Sequence, residues 1–222
     1  MKKAVLGLLL VFVAGVVFGQ QGYAYEVVDG RSVTIIGFIG NDATLDIPAQ
    51  IQGMPVTTID DTTWNNSNGR LTSIAIPSSV SFINERAFSF VDTLTSITVD
   101  SRNPYYTSVD GVLFDKNIQT IIAYPLGRTA RTYTIPSTVT SIGNRAFNSS
   151  SLTSITIPPS ITSIGEWAFS FTKLTSITIP SSVTFIGQRA FAATDLTSVS
   201  LSRHTQVEVA AFPDTARITY RD

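Results

Sequence analysis

The chain has no cysteine, a single histidine, and only 14% charged residues among 222, against about 25% in a typical soluble protein. Each shortage removes a class of function. Without cysteine there is no disulfide, no thiolate nucleophile and no lipid carried on sulfur. One histidine and no cysteine leave nothing from which to build a zinc site. A formal net charge of −1 gives no broad field to gather nucleic acid or an anionic membrane. Any hydrolytic triad would have to use His204, and although Ser202 and Asp214 lie near it, no G-x-S-x-G turn precedes a serine. The expectation is a protein that is not an enzyme, with no catalytic residues, no metal and no cofactor. Asn41–Asp46 and Asp60–Asn68 are rich in oxygen ligands of the kind calcium takes, but lack the spacing of a calcium loop. They read as polar loops.

A long apolar run occurs once. Lys2 and Lys3 precede Ala4–Phe18, and Val17 and Gly19 are small residues suited to cleavage before Gln20. This is the layout of a secretory signal peptide, residues 1–19. At about 15 residues the run is shorter than the roughly 20 that span a bilayer as a helix. Export is therefore expected, without membrane insertion after cleavage.

What the chain has in abundance is serine and threonine, about a quarter of all residues, and repetition. "LTSITIPPSITSIGEWAFS" from Leu152 returns as "LTSITIPSSVTFIGQRAFA" from Leu174. Two half-motifs recur on a period of 22–23 residues. L-x-x-I-x-I-P appears at Leu71, Leu152 and Leu174, and in weaker form at Leu45, Leu94, Arg131 and Leu196. V-x-x-I-x-x-x-A-F appears at Val80, Val139, Ile161 and Val183, and at Val56 with Trp64 in the Phe slot. Alternation in "TSITIP" reads as a strand with Ile155 and Ile157 on one face and Ser154 and Thr156 on the other. The proline after it has no N–H and ends the ladder. Gly143, Gly165 and Gly187 suit a bend with positive φ. "NRAF" and "EWAF" read as one short helical turn with Ala and Phe inward. No unit can bury its own apolar row, but stacked units can. The expectation is one shared interior in which Phe88, Phe147, Phe169 and Phe191 form a single column.

These motifs resemble the BspA-type leucine-rich repeats of bacterial surface proteins, over most of residues 23–222. The resemblance extends to "NPYYTSVDGVLFDKNIQTIIAYP" (103–125), an interruption read as a β-hairpin turning at Asp110-Gly111, and to the opening "YAYEVVDGRSVTIIGFIG", a hairpin turning at Asp29-Gly30. The predicted fold is a repeat solenoid: a leucine-rich-repeat-like right-handed superhelix, β-rich, with a parallel sheet and short helical turns. Its parts are a hairpin cap at 20–44, a solenoid at 45–201 interrupted at 100–129, and a C-terminal cap at 202–222, where His204 stands at a slot that holds Val or Ile elsewhere.

Two columns of side chains remain for function. One is the hydroxyl grid that includes Ser154, Thr156, Ser176 and Thr178. The other is Arg86, Arg145, Trp167 and Arg189, placed just before Ala-Phe. Arg and Trp are enriched at binding hot spots, and Trp167 can stack with an arginine of a neighbouring repeat. Their stems also cover the apolar edge of the turn, which is reason enough for them to be there. The resemblance implies binding to proteins, such as fibronectin-like or fibrinogen-like host proteins, or to other cells, by a protein at the cell surface or secreted. The alternative is a structural or assembly role in the periplasm or envelope. Phe82, Phe90, Phe171 and Phe185, read as exposed, point to self-association as well.

Overall fold

The computed structural model describes residues 22–63 and 70–221, together with the backbone of two short strands, Phe12–Val13 and Val16–Phe18. The expected cleavage site and Trp64 lie outside the described residues. The chain winds into coils with three sides, and most sides bond to the same side of the next coil.

The first side carries L-x-x-I-x-I. Thr44–Asp46, Ser73–Ile76 and Ser96–Val99 run parallel and in register, with Leu45, Ile74 and Ile97 aligned. Beyond the interruption Thr132–Thr134 pairs with Ser154–Thr156, and Ser176–Thr178 pairs with Ser198–Ser202 and then Arg217–Arg221. The second side carries V-x-x-I. Ser32–Phe38, Met54–Thr63 and Phe82–Ile83 form one parallel run. Thr120–Ala123, Ser141–Ile142, Ser163–Ile164, Phe185–Ile186 and Gln206–Val207 form another. Tyr23–Val28 folds back antiparallel on Ser32–Phe38 through Asp29 and Gly30, both at positive φ.

The third side departs from the sequence reading. "NRAF" and its equivalents are runs of turns with no helix. Arg145, Phe147 and Ser149 donate their N–H groups to Glu166, Ala168 and Ser170 of the next coil, each at 2.8 Å. The residues between them close tight turns on their own coil, such as Asn148 N–H to the Arg145 carbonyl at 3.0 Å. A helical turn would spend every N–H inside its own coil, whereas this zigzag gives alternate ones to the neighbour. It requires left-handed backbone, found at Arg145, Trp167, Arg189 and Ala210 with φ of 54–58°. Gly143, Gly165 and Gly187 do not adopt positive φ. They are needed for closeness instead: a Cβ at Gly165 would lie 2.6 Å from the backbone nitrogen of Asn144, and one at Gly187 2.7 Å from that of Glu166.

Threonine has a structural use on these coils. Thr140, Thr162 and Thr184 each send a hydroxyl to the carbonyl of the coil before, at 3.1–3.3 Å, as do Thr72, Thr95, Thr153 and Thr197 on the first side. In the last repeat Thr205 does the same for the Val183 carbonyl at 2.8 Å. Thr205, buried, fills the Val slot nine residues after Leu196, and His204 beside it is exposed.

The interior is two cores. One cluster runs from Tyr23 to Ile97 and the other from Val112 to Ala211. The divider is the strand Val112–Asp115 of the interruption: Val112 and Phe114 face the C-terminal core and Leu113 faces the N-terminal one. This strand pairs antiparallel with Tyr106–Val109 on one side and Thr120–Ala123 on the other. The junction is sealed by Asn103, fully buried in another Val slot. Its amide nitrogen donates to the Pro77 and Val80 carbonyls, both at 2.9 Å, and its oxygen accepts from the N–H groups of Tyr105 and Tyr106. The expected aromatic column is accordingly cut. Phe147, Phe169, Phe191 and Phe212 stack near-parallel at 5.0–5.1 Å. Phe88 belongs to the other core, and Tyr124 takes its place against Phe147 at 5.2 Å.

Candidate protein-binding surface

In-register stacking turns each outward position of the first side into a row along the solenoid axis. Thr132 aligns with Ser154 and Thr134 with Thr156 in one pair of strands, and Ser176 aligns with Ser198, and Thr178 with Ser200 and Thr219, in the three strands that follow. Ser154, Thr156, Ser176 and Thr178 are exposed, and they line a groove of about 750 Å³. Pro159, Pro180 and Ser181 form one wall, and Arg221 stands among the lining side chains, its guanidinium donating to the Ile179 carbonyl at 2.7 Å. Among the described residues that line the groove, Arg221 alone carries a charge. Such a floor offers hydroxyls that donate or accept at will and rigid strand backbone beneath them. It holds no acid, base or nucleophile pair of the kind that drives chemistry.

The prolines and Arg221 were absent from the sequence-level candidates. The proline wall had a signal, since a proline follows the strand in repeat after repeat. Arg221 had none, because only the fold brings residue 221 beside 179.

The second column lies on the third side, so the structure does not bring the two sets of candidates together. Its residues stack. Arg145 and Arg189 sit over the Trp167 ring, with guanidinium carbons 5.2 and 4.9 Å from its centroid. Phe171, half exposed, lies nearly parallel to Trp167 at 6.3 Å. Glu85 holds Arg145 at 3.5 Å and accepts from Asn144 at 2.6 Å. Arg86 pairs with Asp61 at 3.6 Å on the far side of the divide. The left-handed φ at Arg145, Trp167 and Arg189 aims these side chains along one line. Phe82 and Phe90 are exposed, whereas Phe185 is half-buried. Among the described residues no three His, Cys, Asp or Glu side chains converge as metal ligands.

Six repeat copies across residues 57–125 and 127–220 match the model of the BspA type leucine rich repeat region. The chain is a BspA-type leucine-rich repeat protein. A leucine-rich repeat protein from Eubacterium ventriosum is similar in fold, with 21% identity and a TM-score of 0.57 over 85% of this chain and 72% of its own. A leucine rich cell surface protein from Faecalibacterium prausnitzii shows 28% identity and a TM-score of 0.52, over 85% of this chain and 55% of its own. This BspA-type protein therefore spans about half the length of the second. No curated protein matches it. Leucine-rich repeats of this type are a protein-interaction fold, which agrees with an inventory of groove residues that carries no reactive pair.

Proposed function

We propose that this BspA-type protein is an exported scaffold that binds other proteins through the hydroxyl groove, attaching to host matrix or plasma proteins of the fibronectin or fibrinogen kind, or to other cells. The observation that carries the reading is the groove itself: a rigid, nearly uncharged floor of strands repeated over four successive coils. Such a surface suits an extended or flat protein segment whose own polar groups can meet hydroxyls, with affinity coming from many small contacts. Export is supported by the layout of residues 1–19, and display by the description of the F. prausnitzii protein as a cell surface protein.

The test is binding of the mature chain to immobilised fibronectin and fibrinogen, beside Thr156→Arg and Thr178→Arg variants that fill the groove. Binding that falls at least tenfold in both variants supports the reading. Binding unchanged by them, or absent in the wild type, removes it. Protease treatment of intact cells separates surface display, where the protein is cut, from a periplasmic role, where it is spared.

A further inference from the structure

The two cores meet at a seam inside the solenoid. Among the described residues no sheet contains strands from both sides of it. Ser96–Val99 and Phe82–Ile83 end their ladders, and Tyr106–Val109 and Thr132–Thr134 begin new ones.

The bonds that cross the seam are of two kinds. On the first side they join backbone to backbone. The Ile97 N–H donates to the Gly111 carbonyl at 2.9 Å, and the Gly127 N–H to the Leu94 carbonyl at 2.7 Å. Where the second side turns into the third, side chains take over. The Tyr106 hydroxyl donates to the Ser81 carbonyl at 3.3 Å. The Glu85 carboxylate accepts from the Asn144 amide, 59 residues away, at 2.6 Å and faces the Arg145 guanidinium at 3.5 Å. The Arg86 N–H, equivalent to the Arg145 N–H that crosses to Glu166, turns back to the Asn84 side chain of its own coil at 2.9 Å.

Beneath these side chains is a cleft of about 210 Å³, lined by Ile83, Glu85, Tyr106, Ile122, Gly143 and Asn144. One coil later the same corner has no room for a Cβ on Gly165. The coils there close up, whereas the seam stands apart.

We propose that the seam is a hinge, with the backbone bonds of the first side as its pivot and Glu85 as the clasp that holds the opposite corner shut. The two kinds of tie differ in how readily they let go. The pivot bonds are fixed by the chain on both sides of them. The clasp is one carboxylate, 42% exposed, and an ion pair open to water is weak. Release of Glu85 from Asn144 and Arg145 lets the cleft widen, and the half that ends at Val99 swings against the half that begins at Tyr106. Motions of this kind run in microseconds to milliseconds. Every residue that lines the hydroxyl groove lies in the C-terminal half, so the swing re-aims the groove without altering it.

Pulsed electron spin resonance reads the swing in the mature chain, which has no cysteine of its own. Labels go on Glu26→Cys and Asp195→Cys, exposed positions in different halves. A control pair, Asn117→Cys and Asp195→Cys, lies within the C-terminal half. The expected result is one dominant distance between the halves with the native clasp. In Glu85→Ala a second population grows about fivefold, the change that a partly exposed pair supports. Asn144→Asp, which sets a carboxylate against Glu85, does the same, and Glu85→Gln, which keeps the Asn144 bond, falls between. The control distance stays as it was. A distribution that neither Glu85→Ala nor Asn144→Asp changes overturns the proposal. So does an equal change in the control pair, which would mean that the C-terminal half itself had loosened.

Discussion

Replacing Phe169 with alanine takes out a middle ring of the stack that runs from Phe147 to Phe212. The side chain is fully buried, with one ring 5.0 Å below and another 5.1 Å above. Phe→Ala in a core costs about 3–5 kcal/mol, and the spread reflects how far the hole can collapse. Here it cannot collapse far. The backbone on either side is pinned between coils, by Phe147 N–H to Ala168 at 2.8 Å and Phe169 N–H to Ala190 at 2.7 Å. The cost should fall near the upper end, about 5 kcal/mol. With a urea slope of about 1–3 kcal/mol per molar, the midpoint should drop by about 2 M or more. Hydrogen exchange gives the sharper reading. Phe169→Ala should strip protection from residues 112–211 and leave much of 23–97, and Phe88→Ala should do the reverse. A loss below about 1 kcal/mol, where a buried ring should cost several times that, would refute the packing argument. Protection lost evenly across both segments would refute the two cores.

Four further outcomes can be checked. Gly165→Ala should destabilise, because its Cβ would press on the Asn144 backbone, in contrast to the gain of about 0.4–1 kcal/mol that Gly→Ala brings where there is room; thermal melting decides. Asn103→Leu should cost at least about 2 kcal/mol in urea denaturation, since two carbonyls and two N–H groups lose a buried partner. Trp167→Ala should cost about 1–2 kcal/mol as two arginines lose the ring between them, and Arg189→Ala should shift the Trp167 emission. The Arg102 guanidinium and N–H, by hydrogen bonds, hold the Asp100 carboxyl at about 2. The pKa is depressed in the folded state, so what the pair adds to stability is present above the ordinary carboxylate range and lost as pH falls through about 2. NMR titration should place Asp100 there, and Arg102→Ala should return it towards 3.8.

The strands could be read from the sequence because alternation and register are local properties: Ile155 inward and Ser154 outward follow from period two alone. The stacking of Trp167 with arginines could be read as well, since position before Ala-Phe fixes the line. Three things could not. Val112, Leu113 and Phe114 read as one apolar stretch, and only the placement of sheet on both faces shows that they seal two interiors. The left-handed φ falls on Arg145, Trp167 and Arg189, because what decides it is which N–H groups the next coil needs. The glycines two residues earlier hinted at a bend but serve close approach. The abundance of Thr is plain in the sequence, but only the fold shows Thr162 and Thr184 holding carbonyls of the previous coil.

Most bonds that hold the coils of the C-terminal half together run between immediate neighbours. Under tension applied along the chain, such a molecule gives way one turn at a time. Each turn of 22 residues lets out roughly 70–80 Å of slack, so a protein tethered at one end and pulled at the other would behave as a shock absorber.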